Sequence, residues 1–157
     1  MMQKIAYIFF ALFLLSSCCT TKNVASRQAD ELVSYATTFL NTPYRSGGTT
    51  PQGFDCSGYV QYVYRKFGYP LPRTVHDQIK QGLNVNNNKL NKGDLVFFKG
   101  RDKTSKTAGH VGIVVQPGKK KNGQFLFIHA SNRGVVIDDS RQNYYEARYI
   151  RAKRIIY

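Results

Sequence analysis

Three residues of this chain have the types and settings to do chemistry together: Cys56, His110 and His129. Cys56 follows Asp55, a good helix N-cap, so it falls in the first turn of a helix. Unpaired backbone N–H groups and the positive end of the helix dipole favour a thiolate there, and the same groups can receive an oxyanion. A nucleophilic thiol also needs a proton carrier. His110 opens the run His-Val-Gly-Ile-Val-Val and His129 closes the run Phe-Leu-Phe-Ile-His. Paired antiparallel strands would bring those two ends to one sheet edge. The reading is a Cys–His–His triad: Cys56 the nucleophile, His110 the general base and later acid, His129 the residue that orients the His110 ring. His76, on a short polar segment, reads as a solvated surface residue. Two other readings of the trio remain open at this point, a set of buried structural side chains and a Cys-His-His zinc site. No close-spaced ligand pair such as His-x-x-x-His or Cys-x-x-Cys supports a metal, and neither metal nor cofactor is expected.

The elements that must carry these residues can be read from periodicity. Ala29, Leu32, Val33, Ala36, Phe39 and Leu40 recur at helical spacing, and Pro43 ends that helix. Residues 44–53 form a glycine-rich loop without the lysine or preceding strand of a phosphate cradle. The helix after Asp55 buries Val60, Val63, Tyr64 and Phe67 and stops at Gly68. Residues 74–81 suggest a short helix, and the asparagine-rich 84–91 a loop. Leu95–Phe98, Val111–Val115, Phe125–Ile128, Val135–Ile137 and Tyr149–Ile156 are β-branched or aromatic runs between turn residues. Helices followed by consecutive strands predict an α+β domain, N-terminal helices packed on an antiparallel sheet.

With 157 residues one domain is expected, over 28–157. The N-terminus reads differently. Lys4 precedes eleven apolar residues, 5–15, too few to cross a bilayer core that needs about 20 but suited to an export signal. Residues 1–17 are read as a signal peptide and 18–27 as a lipidated N-terminus and tether. Leu15-Ser16-Ser17-Cys18 resembles a bacterial lipobox, with Cys18 the lipid acceptor. Past Cys19 only Cys56 remains, so no disulfide framework is expected. The formal net charge of +14 would ordinarily raise nucleic acid. An exported protein meets anionic wall polymers and lipid head groups first, so the charge reads as envelope affinity and no nucleic-acid partner is expected.

Four segments, Asp55-Cys-Ser-Gly58, Gly93-Asp-Leu-Val-Phe-Phe98, His110-Val-Gly-Ile-Val114 and Ile128-His-Ala-Ser131, resemble in type and order the NlpC-type cell-wall cysteine peptidases. The resemblance covers about residues 28–157. It implies a papain-like fold, hydrolysis of amide bonds in peptidoglycan stem peptides, and Cys56, His110 and His129 as the triad. It also implies that Tyr44 shapes the oxyanion side and that Arg73, in Pro72-Arg-Thr-Val-His-Asp-Gln78, lines the substrate groove. Asp55 and Ser57, flanking the thiol, join the expected substrate-binding set. The turn at Lys119-Lys-Lys-Asn-Gly123 lengthens the stretch between the histidines relative to compact members. The expected protein is a monomer held by a lipid anchor facing the periplasm, the outer membrane favoured over the inner. A thiol amidase or acyltransferase on another envelope substrate, and an inactive wall-binding lipoprotein, are the alternatives.

Overall fold

The computed structural model describes residues 23–118 and 123–157. The expected signal peptide, the expected lipid acceptor Cys18 and the lysine turn at 119–121 lie outside the described residues. Helix α1 covers 23–37, so residues 23–27, expected in the tether, are helical. Leu32 and Ala36 are fully buried and Ala29 nearly so, as the periodicity requires. The helix gives way to turns at 38–41, and Leu40 is exposed. A two-stranded hairpin, β1 (Thr49–Thr50) and β2 (Gly53–Phe54), folds the glycine-rich loop and precedes α2 (Cys56–Lys66). Helix α3 (Val75–Gln78) is shorter than expected, with the Thr74 side chain accepting from the Asp77 N–H.

Six strands form one antiparallel sheet in the order β3-β8-β4-β5-β6-β7: β3 (Leu83–Val85), β4 (Leu95–Lys99), β5 (Ala108–Pro117), β6 (Phe125–Ser131), β7 (Gly134–Asp139) and β8 (Tyr149–Arg154). Strand β3 and a 3₁₀ turn at Asn87–Lys89 occupy the stretch expected to be a loop. The asparagines lack strand propensity, but pairing with β8 supplies the missing ladder partners. A four-residue helix, α4 (Asn143–Glu146), precedes β8.

The sheet is buried on both faces, which explains why Leu95-Val-Phe-Phe98 reads as a continuous apolar run. Leu95, Phe97, Val111, Ile113, Ile128 and Ala130 pack beneath α1 and α2 against Leu32, Ala36, Tyr59, Val60 and Val63. Val96, Phe98, Val114, Phe127 and Ala152 point the other way and pack with Tyr145 of α4. Two buried tyrosines tie the helical layer together: Tyr59 donates to the Ala36 carbonyl at 2.8 Å, and Tyr64 donates to the Gly93 carbonyl.

Two glycines set close approaches that the site depends on. A Cβ at Gly58, in the first turn of α2, would lie 2.1 Å from the Gly48 carbonyl oxygen. That carbonyl accepts from the Asp55 N–H at 3.0 Å, so the glycine-rich loop can lock onto the start of α2 only because residue 58 has no side chain. A Cβ at Gly112 would lie 2.6 Å from Phe127 Cδ2, 3.1 Å from the Ile128 carbonyl and 3.2 Å from His129 Cβ. Residues 110, 112 and 114 share a face of β5. Gly112 is therefore the gap into which the His129 side of β6 settles. Gly112→Ala is expected to destabilise the fold by about 1–3 kcal/mol, the usual cost of overpacking, and to reduce activity more than stability predicts. Urea denaturation beside an activity assay checks this; a fully active, equally stable variant would contradict it.

Candidate active site

The sheet and α2 deliver three side chains to one cleft of about 430 Å³, lined by Cys56, His110 and His129 together with Tyr44, Lys99, Arg101, Tyr144 and Tyr145. Cys56 comes from the helical layer at the first turn of α2. Its cap forms as the sequence implies: the Asp55 carboxylate accepts from the Gly58 N–H at 2.7 Å. His110 sits near the start of β5, and His129 in β6 is fully buried. The strands pair in register Ile113↔Ile128 and Val114↔Phe127. Both histidines thus lie toward the same end of the pair, and His110 Nε2 is 2.7 Å from His129 Nδ1 with the rings nearly perpendicular.

The electrostatics differ from the expectation of a resting thiolate. Burial pushes the Cys56 thiol above its ordinary value of 9.0, and the neighbouring Asp55 charge adds to the effect. The backbone N–H groups of Val111, Ser57 and Cys56 itself face the sulfur and favour its anion, but they do not outweigh burial. Burial, with His129 alongside, pushes His110 well below the ordinary 6.5. Both shifts favour the neutral forms, thiol and imidazole, of two groups that line the same cleft. That is the right ground state for a base that removes the thiol proton as attack occurs.

The other expected residues divide. Tyr44 lines the cleft, exposed, on an isolated bridge to Phe54. Asp55, Ser57 and Arg73 come together, but with one another. Arg73 forms an ion pair with Asp55 and donates to Ser57 Oγ at 2.9 Å, and Ser57 Oγ also donates to Asp55 at 3.2 Å. Burial works against the Asp55 charge, yet the Arg73 and Gly58 hydrogen bonds hold its carboxyl below the usual range. This cluster fixes the entry to α2, and Arg73 keeps a partly exposed edge. Gln78 completes it from α3, donating to the Ser57 carbonyl at 3.0 Å and the Pro72 carbonyl at 2.8 Å. His76 is exposed.

Sequence reasoning missed Asp138 and Tyr145. Asp138 Oδ2 lies 3.0 Å from His129 Nε2, and the Tyr145 hydroxyl donates to the same oxygen at 2.6 Å. Both are buried. The signal for Asp138 existed in the hairpin: Phe127 pairs with Asp138, which places Asp138 diagonal to His129 on the same face. Tyr145 left no comparable signal. Among the described residues no cluster of three or more His, Cys, Asp and Glu side chains is arranged to hold a metal ion.

Residues 41–154, which span all of these site residues, match the NlpC/P60 family. The chain belongs to the NlpC/P60 family. It is 39% identical over 115 residues to the Escherichia coli (strain K12) protein named murein DD-endopeptidase MepS/murein LD-carboxypeptidase, covering 72% of this chain and 55% of that protein. It is 34% identical over 139 residues to a probable endopeptidase NlpC homolog of Haemophilus influenzae, covering 87% of this chain and 68% of that one. The chain thus spans about half the length of the E. coli relative. Among solved structures, an NlpC/P60 family protein from Bacillus cereus superposes with a TM-score of 0.71 at 32% identity, over 82% of this chain and 40% of that one. The fold is the papain-like α+β arrangement of NlpC/P60 domains, as the four sequence segments implied.

The raised thiol value has a direct consequence for reactivity. The alkylation rate of Cys56 by iodoacetamide is expected to rise steadily with pH through 9, since only the thiolate reacts. Stopped-flow or mass-spectrometric rates across pH 5–10 check this. A rate that is already flat at about pH 7 would mean a resting thiolate–imidazolium pair instead.

Proposed function

We propose that this NlpC/P60 protein is a lipid-anchored peptidoglycan endopeptidase that hydrolyses amide bonds of murein stem peptides or their cross-links through Cys56, His110 and His129. The observation that carries the reading is the placing of all three side chains on one cleft, with His110 and His129 at 2.7 Å. The relatives' names, murein endopeptidase and probable endopeptidase, supply the substrate class.

The chemistry follows from the geometry. His110 Nε2 is engaged by His129, which leaves Nδ1 to take the proton from the Cys56 thiol. The sulfur attacks the carbonyl carbon of the scissile amide. Charge then moves onto the carbonyl oxygen, where N–H groups at the start of α2 can receive it. Collapse of the intermediate expels the amine, which takes its proton from the His110 imidazolium, and leaves a thioester on Cys56. Water attacks the thioester while His110 takes one of its protons; collapse breaks the C–S bond, His110 returns that proton to the Cys56 sulfur, and the carboxylic acid product gives its remaining proton to solvent and departs as a carboxylate. The step needs no cofactor.

Tyr44, which lines the cleft, is the proposed contact on the oxyanion side. The partly exposed edge of Arg73, steadied by Asp55 and Ser57, is the proposed contact for a stem-peptide polar group. Lys99 and Arg101 give the opposite part of the cleft positive charge, which suits a substrate rich in carboxylates. Lipidation at Cys18 would hold the domain against an envelope membrane, with peptidoglycan as the partner. The described residues contain no helix long and apolar enough to cross a membrane.

Zymography on purified sacculi tests the reading. Cys56→Ala and His110→Ala are each expected to abolish clearing, since one removes the nucleophile and the other the proton carrier. His129→Ala is expected to lower the rate on the order of 10²-fold or more, with His129→Asn between it and the wild type, because Asn still offers a carbonyl to the His110 N–H. A strong chelator is expected to leave the wild type unaffected. Clearing by a folded Cys56→Ala protein, or loss of activity to the chelator, would overturn the thiol mechanism.

A further inference from the structure

His129 can serve His110 in two opposite ways, and only one of them leaves His110 a base. A neutral imidazole carries a single N–H. If His129 held its proton on Nδ1, it would donate to His110 Nε2, and the His110 proton would then sit on Nδ1. That is the nitrogen left for the thiol, and His110 could not accept a proton there. If His129 holds its proton on Nε2 instead, its Nδ1 accepts from His110 Nε2–H, and His110 Nδ1 presents a lone pair to Cys56. The 2.7 Å contact between the rings fits either arrangement equally well. What decides between them lies behind His129.

We infer that Asp138 is a positioning residue that sets the tautomer of both histidines, and with it the direction in which the thiol proton can move. An ionised carboxylate can only accept hydrogen bonds, so Asp138 Oδ2, 3.0 Å from His129 Nε2, requires the proton of His129 to be on Nε2. The carboxylate is itself fixed. Tyr145 donates to Oδ2 at 2.6 Å, the Arg133 guanidinium donates to the same atom, and the Gln142 amide donates to Oδ1 at 3.3 Å. The hydrogen bonds from His129, Tyr145 and Arg133 hold Asp138 far below the usual carboxylate range despite the opposing cost of burial. The groups that face His129 are therefore His110 from β5, Asp138 from β7 and Tyr145 from α4, with Arg133 reaching Asp138 from the β6–β7 turn.

When the thiol proton arrives on His110 Nδ1, the ring becomes an imidazolium that still donates from Nε2 to His129. The negative charge of Asp138 stabilises this cation through the chain of two hydrogen bonds. No proton needs to pass to Asp138, and none is lost from the balance. Asp138 is not among the residues that line the cleft, so its effect falls on turnover and not on substrate binding.

Nitrogen-15 NMR of the imidazole rings tests the assignment without substrate, and therefore independently of which amide the enzyme cuts. In the wild type at neutral pH both His110 and His129 are expected as the Nε2–H tautomer. In Asp138→Ala, His129 is expected to lose that preference, with kcat on muropeptides falling on the order of 10²-fold and KM staying within about twofold. Arg133→Gln, which removes a donor to Asp138 but leaves the carboxylate, is expected to keep both tautomers. A wild-type His129 protonated on Nδ1 would overturn the inference. So would a folded Asp138→Ala protein with unchanged tautomers and turnover, which would leave Asp138 only the task of pairing Arg133. Should Asp138→Ala fail to fold, the wild-type spectrum alone decides the tautomers. Failure of the peptidoglycan reading would show as no turnover of muropeptides in the wild type, with the tautomers as expected.

Discussion

The contact between His110 and His129 is the constraint to which the rest of the structure answers. Two side chains on neighbouring strands reach 2.7 Å only if β5 and β6 stay in one register and the position between them is empty. Gly112 supplies the empty position, since a Cβ there would lie 2.6 Å from Phe127 Cδ2 and 3.1 Å from the Ile128 carbonyl oxygen. Register in turn is held by burial of both sheet faces. A slip of one residue would send Ile113 and Ile128 out of the helical layer and His129 into it. The apolar core is thus the fixture that holds the two rings at hydrogen-bonding distance.

Helix α2 brings the third group from the opposite layer, and its placement sets the electrical state of the site. Gly58 lets the glycine-rich loop close on the first turn, and Asp55 both caps the helix and pairs with Arg73. The same closure buries Cys56 and sets a carboxylate beside it, which is why the thiol is raised despite the helix N-terminus. The N–H groups of Val111, Ser57 and Cys56 around the sulfur favour its anion but are outweighed by desolvation and the Asp55 charge.

Most of the fold was legible because its signals are local. The Asp55 cap, the helical faces of α1 and α2, and the strand runs at 95–98, 111–115 and 125–128 all appear where the patterns put them. Strand β3 was not legible: three residues running into an asparagine-rich stretch show no strand pattern, and pairing with the distant β8 makes them one. The meeting of Cys56, His110 and His129 at one cleft was legible from a first-turn cysteine and two strand-end histidines. Their protonation was not, because burial depends on a closure that no single segment encodes. Asp138 lay just past the expected strand Val135–Ile137, and its place appears only when the β6–β7 register sets it diagonal to His129. Arg73 was expected to face substrate, whereas the fold turns most of its charge onto Asp55.

Covalent catalysis by Cys56 is the step on which the proposed function depends, and trapping the intermediate tests it most directly. Rapid acid quench of the enzyme during turnover of muropeptides, followed by intact-protein and peptide mass spectrometry, would reveal a thioester. A transient mass increase equal to the acyl half of the cleaved peptide is expected, located on the peptide that contains Cys56 and lost on treatment with hydroxylamine. Turnover at full rate with no adduct on Cys56 at any quench time, under conditions where acylation outpaces hydrolysis, would contradict it.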